Sequence, residues 1–484
     1  MTRFSRRTFL EHSAVLGASA TLSARSYANV AGANSDIRLA VVGLNGKGKD
    51  HITSFQAIPG VRVVAVCDCD STVLDQGAQL ARKAGGPVKT FADYRELISQ
   101  KDVDAISIVT PNHQHALQAI WALQAGKDVF LEKPVSHDLW EGQQLVRAAE
   151  KYPRIMQAGT QNRSSIAIAE ALAWQREGHI GRVLFARGLC YKRRASIGKS
   201  TSPQTLPPSV NYDLWLGPAP QAPLLRQKFH YDWHWQWATG NGDIGNQGNH
   251  QLDVARRFLG EAALPPRVFS VGGRFGYEDD GETPNTLLAL YDYAKAPLLF
   301  EVRGLPSQPG VETMDLYRGL SVGVIVECEG GSINVPSADY SSATAFDRDG
   351  KVLREFKGKG DHYGNFIQAV RSRKSSDLTA PIVEGHVSSA LSHLPNISQQ
   401  SGDLLKLSEA ERRLSGPSSF GEAFSRMITH LKTNGVDLNR TPLRVGSVLT
   451  LDPITERFTG PNAEAATLLA RRKARTPFVV PELV

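Results

Sequence analysis

The chain of 484 residues contains only four cysteines, and no pair of them has the Cys-x-x-Cys spacing of a zinc site. Cys67 and Cys69 are separated by a single residue at the end of an apolar run, which is too close for an easy disulfide. This composition excludes a small scaffold held together by disulfides, and it gives no reason to predict a metal site.

Three other features are missing from the sequence. No apolar run reaches the roughly 18 residues of a membrane-spanning helix, no internal repeat is visible, and no stretch of Lys and Arg is dense enough for a nucleic-acid surface. The net charge is +7, but the first 33 residues hold four arginines and one glutamate, which leaves +4 on the rest. We therefore predict no membrane span and no nucleic-acid partner, in a chain long enough for two or three domains.

The first 33 residues differ in composition from the rest of the chain. Ser5–Leu10 has a twin-arginine pattern, and a weakly apolar stretch follows from about Ala14 to Leu22. Small residues typical of cleavage sites end at Ala28 and at Ala33. We predict a signal peptide over residues 1–33 that directs the folded protein to the periplasm or its equivalent. The alternative is a disordered basic tail.

A glycine-rich turn follows the first apolar run after this segment. Gly43 and Gly48 fill the first and third glycine positions of G-x-G-x-x-G, and Asn45 stands at the middle position. Gly46 and Lys47 complete the turn. A buried strand that turns tightly into a helix has this pattern, and the N-terminus of such a helix binds phosphate. An ordinary glycine turn is the alternative.

An acidic residue follows the second predicted strand. Val61–Cys67 is apolar and ends at Asp68, about 20 residues after the glycine turn. A carboxylate at this place accepts hydrogen bonds from the hydroxyls of the adenosine ribose and repels a 2′-phosphate. The pattern predicts a dinucleotide site that prefers NAD to NADP, with Asp70 as a competing candidate for the acid.

Strand and helix patterns alternate from Ile37 to about Ala158, which predicts a parallel sheet with right-handed crossovers. The predicted strands are Ile37–Val42, Val61–Cys67, Ala105–Val109, Asp128–Leu131 and Arg154–Gln157. The predicted helices lie after His51 and at Thr72–Ala84, Phe91–Gln100, His113–Ala125 and Leu139–Lys151. We divide the chain into a Rossmann domain (34–158), a substrate and sheet domain (159–400) and a C-terminal extension (401–484).

Two loops leave the carboxyl edge of the predicted sheet, where ligands of such folds bind. The first runs from Thr110 through Asn112 to His115, and the second is Glu132-Lys133-Pro134. Desolvation lowers the pKa of a lysine at the end of a buried strand towards the range of a proton shuttle. From the spacing alone, a surface lysine beside a turn proline is the favoured alternative.

The order of these motifs resembles that of the Gfo/Idh/MocA oxidoreductases, which include glucose-fructose oxidoreductase and inositol dehydrogenase. The resemblance covers roughly Ile37 to Gln400. It implies a Rossmann domain followed by a domain with a large open mixed sheet, a bound NAD or NADP, and hydride transfer at one carbon of a sugar or polyol. It also implies that Lys133 is the catalytic lysine and that the bond before Pro134 is cis. The cofactor-binding residues expected on this basis are Gly43, Asn45, Gly46, Lys47, Gly48, Asp68, Thr110, Asn112, His115, Glu132 and Lys133.

Polar and aromatic residues after the predicted sheet are candidates for substrate binding. Gln161 and Arg163 lie in a polar loop that faces the same edge. Farther on, nine residues contain three tryptophans and two histidines, and aromatic faces of this kind bind sugar rings or fill a core. Trp233 and His234 are the candidates there. The cationic run Lys192–Arg194 either binds an anionic group of a substrate or is solvated.

Asn246, His250 and Asp253 have the spacing of one helix face. Such a face would hold a substrate hydroxyl near a base and orient the base from behind. The resemblance implies that His250 is the catalytic histidine, across the nicotinamide from Lys133. Inositol dehydrogenases carry an aspartate four residues before this histidine, whereas this chain has Asn246, so its contact with the substrate would be neutral.

The rest of the chain shows strand-like runs between residues 268 and 356, which predict a large and mainly antiparallel sheet. One face of such a sheet usually serves the active site and the other a partner subunit, so we expect a homo-oligomer. Predicted helices follow at Tyr363–Arg373 and at 385–398, and the second would cover the cofactor cleft. The tail beyond Gln400, with a predicted helix at Phe420–Lys432, shows no chemistry.

The sequence therefore predicts an exported NAD-linked oxidoreductase that transfers hydride between nicotinamide and a hydroxyl carbon of a carbohydrate or polyol. Because free NAD is scarce outside the cytoplasm, we expect a tightly held cofactor. Two alternatives stay open: a glycosidase or epimerase that oxidises a sugar carbon transiently, and a sugar-binding protein without catalysis. The presence of both Lys133 and His250 disfavours the last.

Overall fold

The computed structural model of the protein describes residues 36–83, 85–337, 340–414 and 416–483. The predicted signal peptide lies outside the described residues, as does Ala84, where a predicted helix ends. The described chain forms a parallel sheet of six strands and a larger mixed sheet, with helices packed on both. The fold class expected from the sequence is therefore confirmed.

The first sheet is built from apolar runs that are buried on both faces, as expected for parallel strands covered by helices. Its strands are β1 (Ile37–Val42), β2 (Val61–Cys67), β3 (Lys89–Phe91), β4 (Ala105–Ile108), β5 (Asp128–Glu132) and β6 (Met156–Gly159). They lie in the order β3-β2-β1-β4-β5-β6, and all pairs are parallel. The direction of winding reverses between β1 and β4, which places the ligand crevice at the carboxyl ends of these two strands.

Helices follow these strands, with two differences from the sequence-based prediction. The helices are α1 (Lys47–Gln56), α2 (Ser71–Arg82), α3 (Tyr94–Ile98), α4 (His115–Gln124) and α5 (Leu139–Lys151). The first begins before His51 because Gly46 serves as its N-cap. The predicted helix Phe91–Gln100 is shorter because Lys89–Phe91 pairs with β2 as an edge strand.

The second sheet contains the remaining strands. These are β7 (Val183–Tyr191), β8 (Arg267–Gly273), β9 (Thr286–Tyr291), β10 (Leu298–Arg303), β11 (Val322–Cys328), β12 (Gly331–Pro336), β13 (Ser342–Asp347), β14 (Val352–Lys357), β15 (Asp403–Leu405), β16 (Leu443–Val445), β17 (Leu449–Leu451) and β18 (Phe458–Thr459). The order is β14-β13-β12-β11-β7-β10-β9-β8-β16-β15, and β17 also pairs with β8. The pair β7 and β10 is parallel, and the other described pairs are antiparallel. Strands from the predicted extension 401–484 thus enlarge this sheet.

The other described helices follow β6 in the chain. These are α6 (Ile166–Arg176), α7 (Tyr212–Leu216), α8 (Gly242–Asn246), α9 (Gly248–Leu259), α10 (His362–Ser372), α11 (Ile382–Gln400), α12 (Leu407–Arg413), α13 (Ser418–Thr433) and α14 (Ala463–Ala470). Short 3₁₀ helices lie at Asn112–Gln114, Gln161–Ser164, Asp232–Trp235 and Ser375–Asp377. None of the described helices is long and apolar enough to cross a membrane.

Alternate residues along β8, β9 and β10 face opposite sides of the second sheet, and each side is covered by the chain itself. Leu287 and Phe300 pack in one core with residues of α9 and α11. Leu288 and Leu299 pack on the other side with Phe424 and other residues of α13. The face that we expected to meet a partner subunit is therefore occupied, at these strands, by a helix of the predicted extension.

Helix α11 holds the two domains together. Its Gly385 approaches the first sheet so closely that an added Cβ would lie 2.5 Å from Cβ of Ala158. Farther along, the hydroxyl of Ser398 accepts a hydrogen bond from the backbone N–H of Ser270 in β8, at 3.0 Å. One helix thus fixes the spacing between the sheets, and with it the width of the crevice.

The tight packing of the glycine turn gives a stability test. A Cβ at Gly48 would lie 2.0 Å from the carbonyl oxygen of Gly43, so we expect Gly48→Ala to lower the free energy of unfolding. The expected loss is about 1–3 kcal/mol, the usual cost of overpacking. The control is Gly421→Ala in α13, where an added Cβ meets nothing within 4 Å and helix propensity predicts a gain of about 0.5–1 kcal/mol. Urea denaturation midpoints measure both effects, and equal midpoints for the two variants would contradict the packing.

Candidate cofactor and substrate site

A cavity of about 680 Å³ lies at the carboxyl edge of the first sheet, between the two domains. Residues of both domains line it, and so do most of the residues that the sequence singled out. The predicted site residues on its wall are Gly43, Asn45, Gly46, Lys47, Asp68, Thr110, Asn112, His115, Glu132, Lys133, Gln161, Trp233, Asn246 and His250. Gly48 and Arg163 do not line it.

The glycine turn forms a cradle at one part of this wall. Gly43 has φ +82° and lies so close to the end of β4 that a Cβ would be 2.7 Å from the Val109 carbonyl group. Gly46 has φ +72°, and an added Cβ there would meet no protein atom within 4 Å. No side chain caps α1 at this end. The open N-terminus of α1 therefore offers N–H groups and a positive dipole to an anion, while Gly48 serves strand–helix packing.

The structure separates the two candidate acids after β2. Asp68 lines the cavity, and its carboxylate accepts the N–H groups of Leu44 at 2.8 Å and of Asp70 at 3.0 Å. Asp70 instead caps α2, accepting a hydrogen bond from Thr72 N, and pairs with His230 at 2.9 Å. Asp68 is thus the acid on the cavity wall, and Asp70 is structural.

Glu132 is buried at the end of β5 in a set of charge-assisted contacts. Its Oε1 lies 3.1 Å from Nε2 of His51 and accepts a hydrogen bond from the Gln161 amide at 2.9 Å. Burial favours a raised pKa for Glu132, but the His51 contact and the Lys133 charge outweigh it and hold the pKa well below its usual range. Glu132 is therefore an anion that supports the site.

Lys133 lies between the two domains. Its Nζ donates a hydrogen bond of 2.7 Å to the backbone carbonyl of Asn246, at the end of α8. The peptide bond to Pro134 is cis, as the resemblance implied. Burial lowers the pKa of Lys133 from its ordinary value, and the Glu132 carboxylate opposes that shift. The ammonium is therefore held in the cavity wall, and the alternative of a surface lysine is wrong.

His250 lies in the first turn of α9 and reaches the same cavity. The part of the chain that the structure describes provides no hydrogen-bond partner for its Nδ1, although this atom is buried. Burial lowers the pKa of His250 to about 3, and the charge of Lys133 adds to this shift. The imidazole is therefore neutral at ordinary pH.

The helix face proposed from the sequence is interrupted, and its third member has another role. Asn246 ends α8 and His250 belongs to α9, because the helix breaks at Gln247. Asp253 does not orient His250; its carboxylate accepts two hydrogen bonds from Arg163, at 2.7 and 2.9 Å. Arg163 also pairs with Glu384 of α11 at 2.9 Å. We had expected Arg163 to bind substrate, but its guanidinium is occupied by these two carboxylates behind the site.

The aromatic segment contributes to the cavity wall, as the interpretation of a sugar-binding surface required. The rings of Trp233 and His234 are stacked with centroids 3.7 Å apart, and both residues line the cavity. His234 Nδ1 donates to the carbonyl of Tyr231 at 2.6 Å, and the described chain shows no partner for its Nε2. Burial lowers the pKa of His234 to about 3. A second neutral imidazole therefore lines the cavity. The pattern of tryptophans and histidines in the sequence had made His234 a candidate for this position.

The cationic run after β7 does not reach the cavity. Arg194 forms a salt bridge of 2.5 Å with Asp243, and Arg193 forms one of 2.5 Å with Glu312. Lys192 Nζ lies 3.4 Å from the side chain of Gln247. The run is therefore paired with protein groups rather than free to bind an anion, and Arg194 is mostly buried rather than solvated.

Sequence reasoning missed the contribution of the C-terminal tail. Phe478 lines the cavity beside Trp121 and Arg95, although the tail appeared to carry no chemistry. Its only signal in the sequence is an apolar run, Phe478–Val480, that ends a basic segment. Tyr340, with its ring 5.3 Å from that of His250, was also not anticipated.

These features together fit an adenine dinucleotide. The open cradle at Gly46 suits a pyrophosphate, Asp68 suits a ribose diol, and the unpartnered His250 lies with Lys133 where the reacting end would be. Among the described residues, no group of three or more His, Cys, Asp or Glu side chains is arranged to hold a metal ion. The residues present therefore favour a nucleotide as the resident group.

Two parts of the chain match profiles of one oxidoreductase family, Gfo/Idh/MocA. Residues 37–160 match its NAD-binding Rossmann fold, and residues 168–283 match its C-terminal alpha/beta domain. Among curated proteins, inositol 2-dehydrogenase of Salmonella typhimurium is 31% identical over 179 residues, which are 37% of this chain and 51% of that protein. Levoglucosan dehydrogenase of Pseudarthrobacter phenanthrenivorans is 26% identical over 240 residues, 49% of this chain and 54% of that one. The matches thus span about half the length of these two relatives.

A third kind of relative and two solved structures complete the comparison. A glycosyl hydrolase family 109 protein of Solibacter usitatus is 33% identical over 167 residues, 32% of this chain and 38% of that protein. Levoglucosan dehydrogenase in complex with NADH and levoglucosan has a TM-score of 0.57 at 19% identity and covers 74% of this chain and 95% of its own. The Bordetella pertussis WlbA dehydrogenase, in complex with NADH and UDP-GlcNAcA, has a TM-score of 0.54 at 20% identity, covering 75% and 95%. At these identities, the two structures show a common fold.

The neutral state of His250 predicts how stability depends on pH. An unfolded histidine has a pKa near 6.5, whereas that of His250 in the folded protein is about 3. Below the unfolded value, the unfolded chain binds a proton that the folded chain refuses, so stability falls as pH is lowered. Relative to that of His250→Gln, we expect the free energy of unfolding of the wild type to fall by roughly 1 kcal/mol for each unit that the pH is lowered between about pH 6 and pH 4. Urea denaturation of both proteins over this range measures the difference, and a flat difference would contradict a buried neutral imidazole.

Proposed function

Because two parts of the chain match the NAD-binding Rossmann domain and the C-terminal domain of the Gfo/Idh/MocA oxidoreductases, we propose that the protein transfers hydride between a nicotinamide and a hydroxyl carbon of a carbohydrate or polyol. The observation that supports this most is the meeting of Lys133 and His250, from different domains, on the wall that also contains the glycine turn. The sugar dehydrogenases among its relatives support the class of substrate.

The protein residues divide the proton chemistry between them. A bound NAD supplies the hydride acceptor at nicotinamide C4. The imidazole of His250 takes the hydroxyl proton, since it is neutral and lies on the cavity wall. The ammonium of Lys133, positioned by the Asn246 carbonyl, stabilises the oxyanion that develops on the substrate. At the substrate contact, this chain has the neutral amide of Asn246 where inositol dehydrogenases carry the carboxylate of an aspartate.

We propose that the cofactor is NAD rather than NADP and that the protein holds it tightly. We also propose that the protein is exported by the twin-arginine route. Asp68 on the cavity wall supports NAD, because a carboxylate there would repel a 2′-phosphate. The leader pattern of Ser5–Leu10 supports export to the periplasm or its equivalent. Scarcity of free cofactor in that compartment is the reason for tight binding.

We also propose that the protein self-associates through the second sheet, at the β14 edge, which α13 leaves uncovered. Val352 and Leu353 of the edge strand β14 are each nearly half exposed there. Exposed apolar side chains on an edge strand favour a contact with a second copy.

A second candidate is a glycosidase or epimerase that oxidises a sugar carbon and later reduces it again. His234 favours this candidate. Oxidation of an alcohol needs one base, and the free Nε2 of His234 gives the cavity a second one. The family 109 glycosyl hydrolase among the relatives supports it too. Release of phenol from aryl glycosides, with no net change in reduced cofactor, would select this candidate over a net dehydrogenase.

The proposed function is tested on protein recovered from the extracytoplasmic fraction. We expect it to release NAD on denaturation, and its chain to begin after Ala28 or Ala33. A panel of polyols and sugars, with inositol and levoglucosan among them, should raise the absorbance of reduced nicotinamide near roughly 340 nm. We expect Lys133→Ala and His250→Ala each to lower the rate about 10²-fold or more.

The matched control is Lys192→Ala, a lysine near the site but outside the cavity wall, which should retain the wild-type rate. Protein that carries no nucleotide and responds to no sugar would rule out the oxidoreductase. Retained turnover in the double variant of Lys133 and His250 would show that neither residue carries chemistry.

The choice of cofactor is tested at the two acids after β2. Asp68→Ala should shift the ratio of NAD to NADP dissociation constants by about tenfold or more in favour of NADP, since it removes the repulsive carboxylate. Asp70→Ser, which keeps a residue able to cap α2, should leave the ratio unchanged. Titration of nucleotide-free protein with each cofactor gives the constants, and equal shifts in the two variants would refute the assignment of Asp68.

A further inference from the structure

Residues 471–483, which we call the strap, run from the second domain back to the first. The strap follows α14, whose Ala466 and Ala470 are buried in the core of the second domain. Phe478, Val480 and Leu483 are instead buried in the core of the first domain. The strap therefore joins the two sides of the cleft by a route separate from α11.

Both ends of the strap are held by specific polar contacts. Near its start, the backbone N–H of Arg472 donates to Oδ2 of Asp138 at 2.8 Å, and its buried guanidinium donates to Nε2 of His137 at 2.7 Å. At its far end, Leu483 N donates to the side chain of Gln144 at 2.7 Å, and Arg147 donates to the Leu483 carbonyl at 2.8 Å. The strap thus has a fixed path along α5 of the first domain.

The middle of the strap crosses one end of the cavity. Arg475 is fixed there by a salt bridge of 2.5 Å to Asp213, and its backbone N–H donates to the Pro218 carbonyl at 3.1 Å. Its guanidinium carbon lies 5.0 Å from the ring centroid of Phe478. This contact and the chain path place Phe478 against the cavity wall.

Phe478 lies in a group of flat side chains on that wall. Its ring centroid is 6.5 Å from that of Trp121, and the guanidinium carbon of Arg95 lies 5.4 Å from it. The group is next to the ribose position, because Asp68 N donates to the Phe91 carbonyl at 3.2 Å and Arg95 follows β3 by four residues. In a dinucleotide that begins at the glycine turn and passes Asp68, the adenine would lie beyond the ribose, at this group.

We propose that the strap closes the adenine end of the cleft and that Phe478 supplies the ring on which the adenine of a bound dinucleotide packs. This inference rests on the proposed function, and it adds the part of the chain that retains the cofactor. Adenine has two apolar π-faces, which aromatic rings and guanidinium groups bind well. Because the strap is anchored on both sides of Phe478, the adenosine cannot leave by this end unless those contacts open.

The test compares variants at two buried positions of the strap. Phe478→Ala removes the ring on the cavity wall, whereas Val480→Ala removes a side chain that packs in the same core but does not line the cavity. Full-length protein is loaded with NAD, and exchange of the bound cofactor for labelled NAD is followed. We expect exchange to be about 5- to 100-fold faster in Phe478→Ala, the range for loss of one base-stacking ring.

Two further measurements separate retention from stability. Phe478→Tyr should restore slow exchange, because it keeps the ring, and Val480→Ala should lower the melting temperature while leaving the exchange rate within about twofold of wild type. Equal exchange rates in Phe478→Ala and Val480→Ala would overturn the role of the strap and leave the oxidoreductase intact. Failure of the wild type to bind NAD or adenosine diphosphate at all would overturn the proposed function and this inference with it.

Discussion

The burial of a single ammonium group at the junction of two domains is the constraint on which this site depends. A buried charge without partners costs several kcal/mol, so Lys133 needs compensation from both sides. Glu132 provides it from the same strand end, and the Asn246 carbonyl provides it from the second domain. Glu132 in turn needs His51 and Gln161. The charge therefore sets the distance between β5, α1 and α8, and hence the shape of the crevice between them.

The elements of this fold are visible in the sequence wherever an apolar run ends at a polar or glycine turn. The bounds of β1 and β2 were predicted to the residue, since Ile37–Val42 and Val61–Cys67 are mainly apolar runs with clear ends. The cavity wall was predicted for a related reason: the carboxyl ends of parallel strands meet at one edge, so the loops at Thr110 and Glu132 had to converge. Local pattern and topology together were sufficient for these.

The parts that were missed depend on partners far away in the chain. Helical spacing placed Asp253 on a face with His250, but it gave no sign that Arg163 would pair with that carboxylate and with Glu384 of α11. In the same way, nothing near Phe478 in the sequence shows that its ring packs against Trp121. Periodicity shows which face of a helix or strand is buried, but it does not show which residues pack against that face. The largest revisions of the site therefore concern side chains whose contacts span 90 residues or more.

The path of the strap also orders events in time. Residues 471–483 are synthesised after every strand of both sheets, and domains near the N-terminus fold first as the chain emerges. In the closure that we propose, the crevice therefore takes shape with one end still open, and the strap shuts that end when it docks later. A nucleotide that enters during this interval is enclosed by the chain itself, without any later movement of a lid. If the protein is exported in its folded form, as we propose, cofactor loading would then belong to biosynthesis rather than to the working cycle.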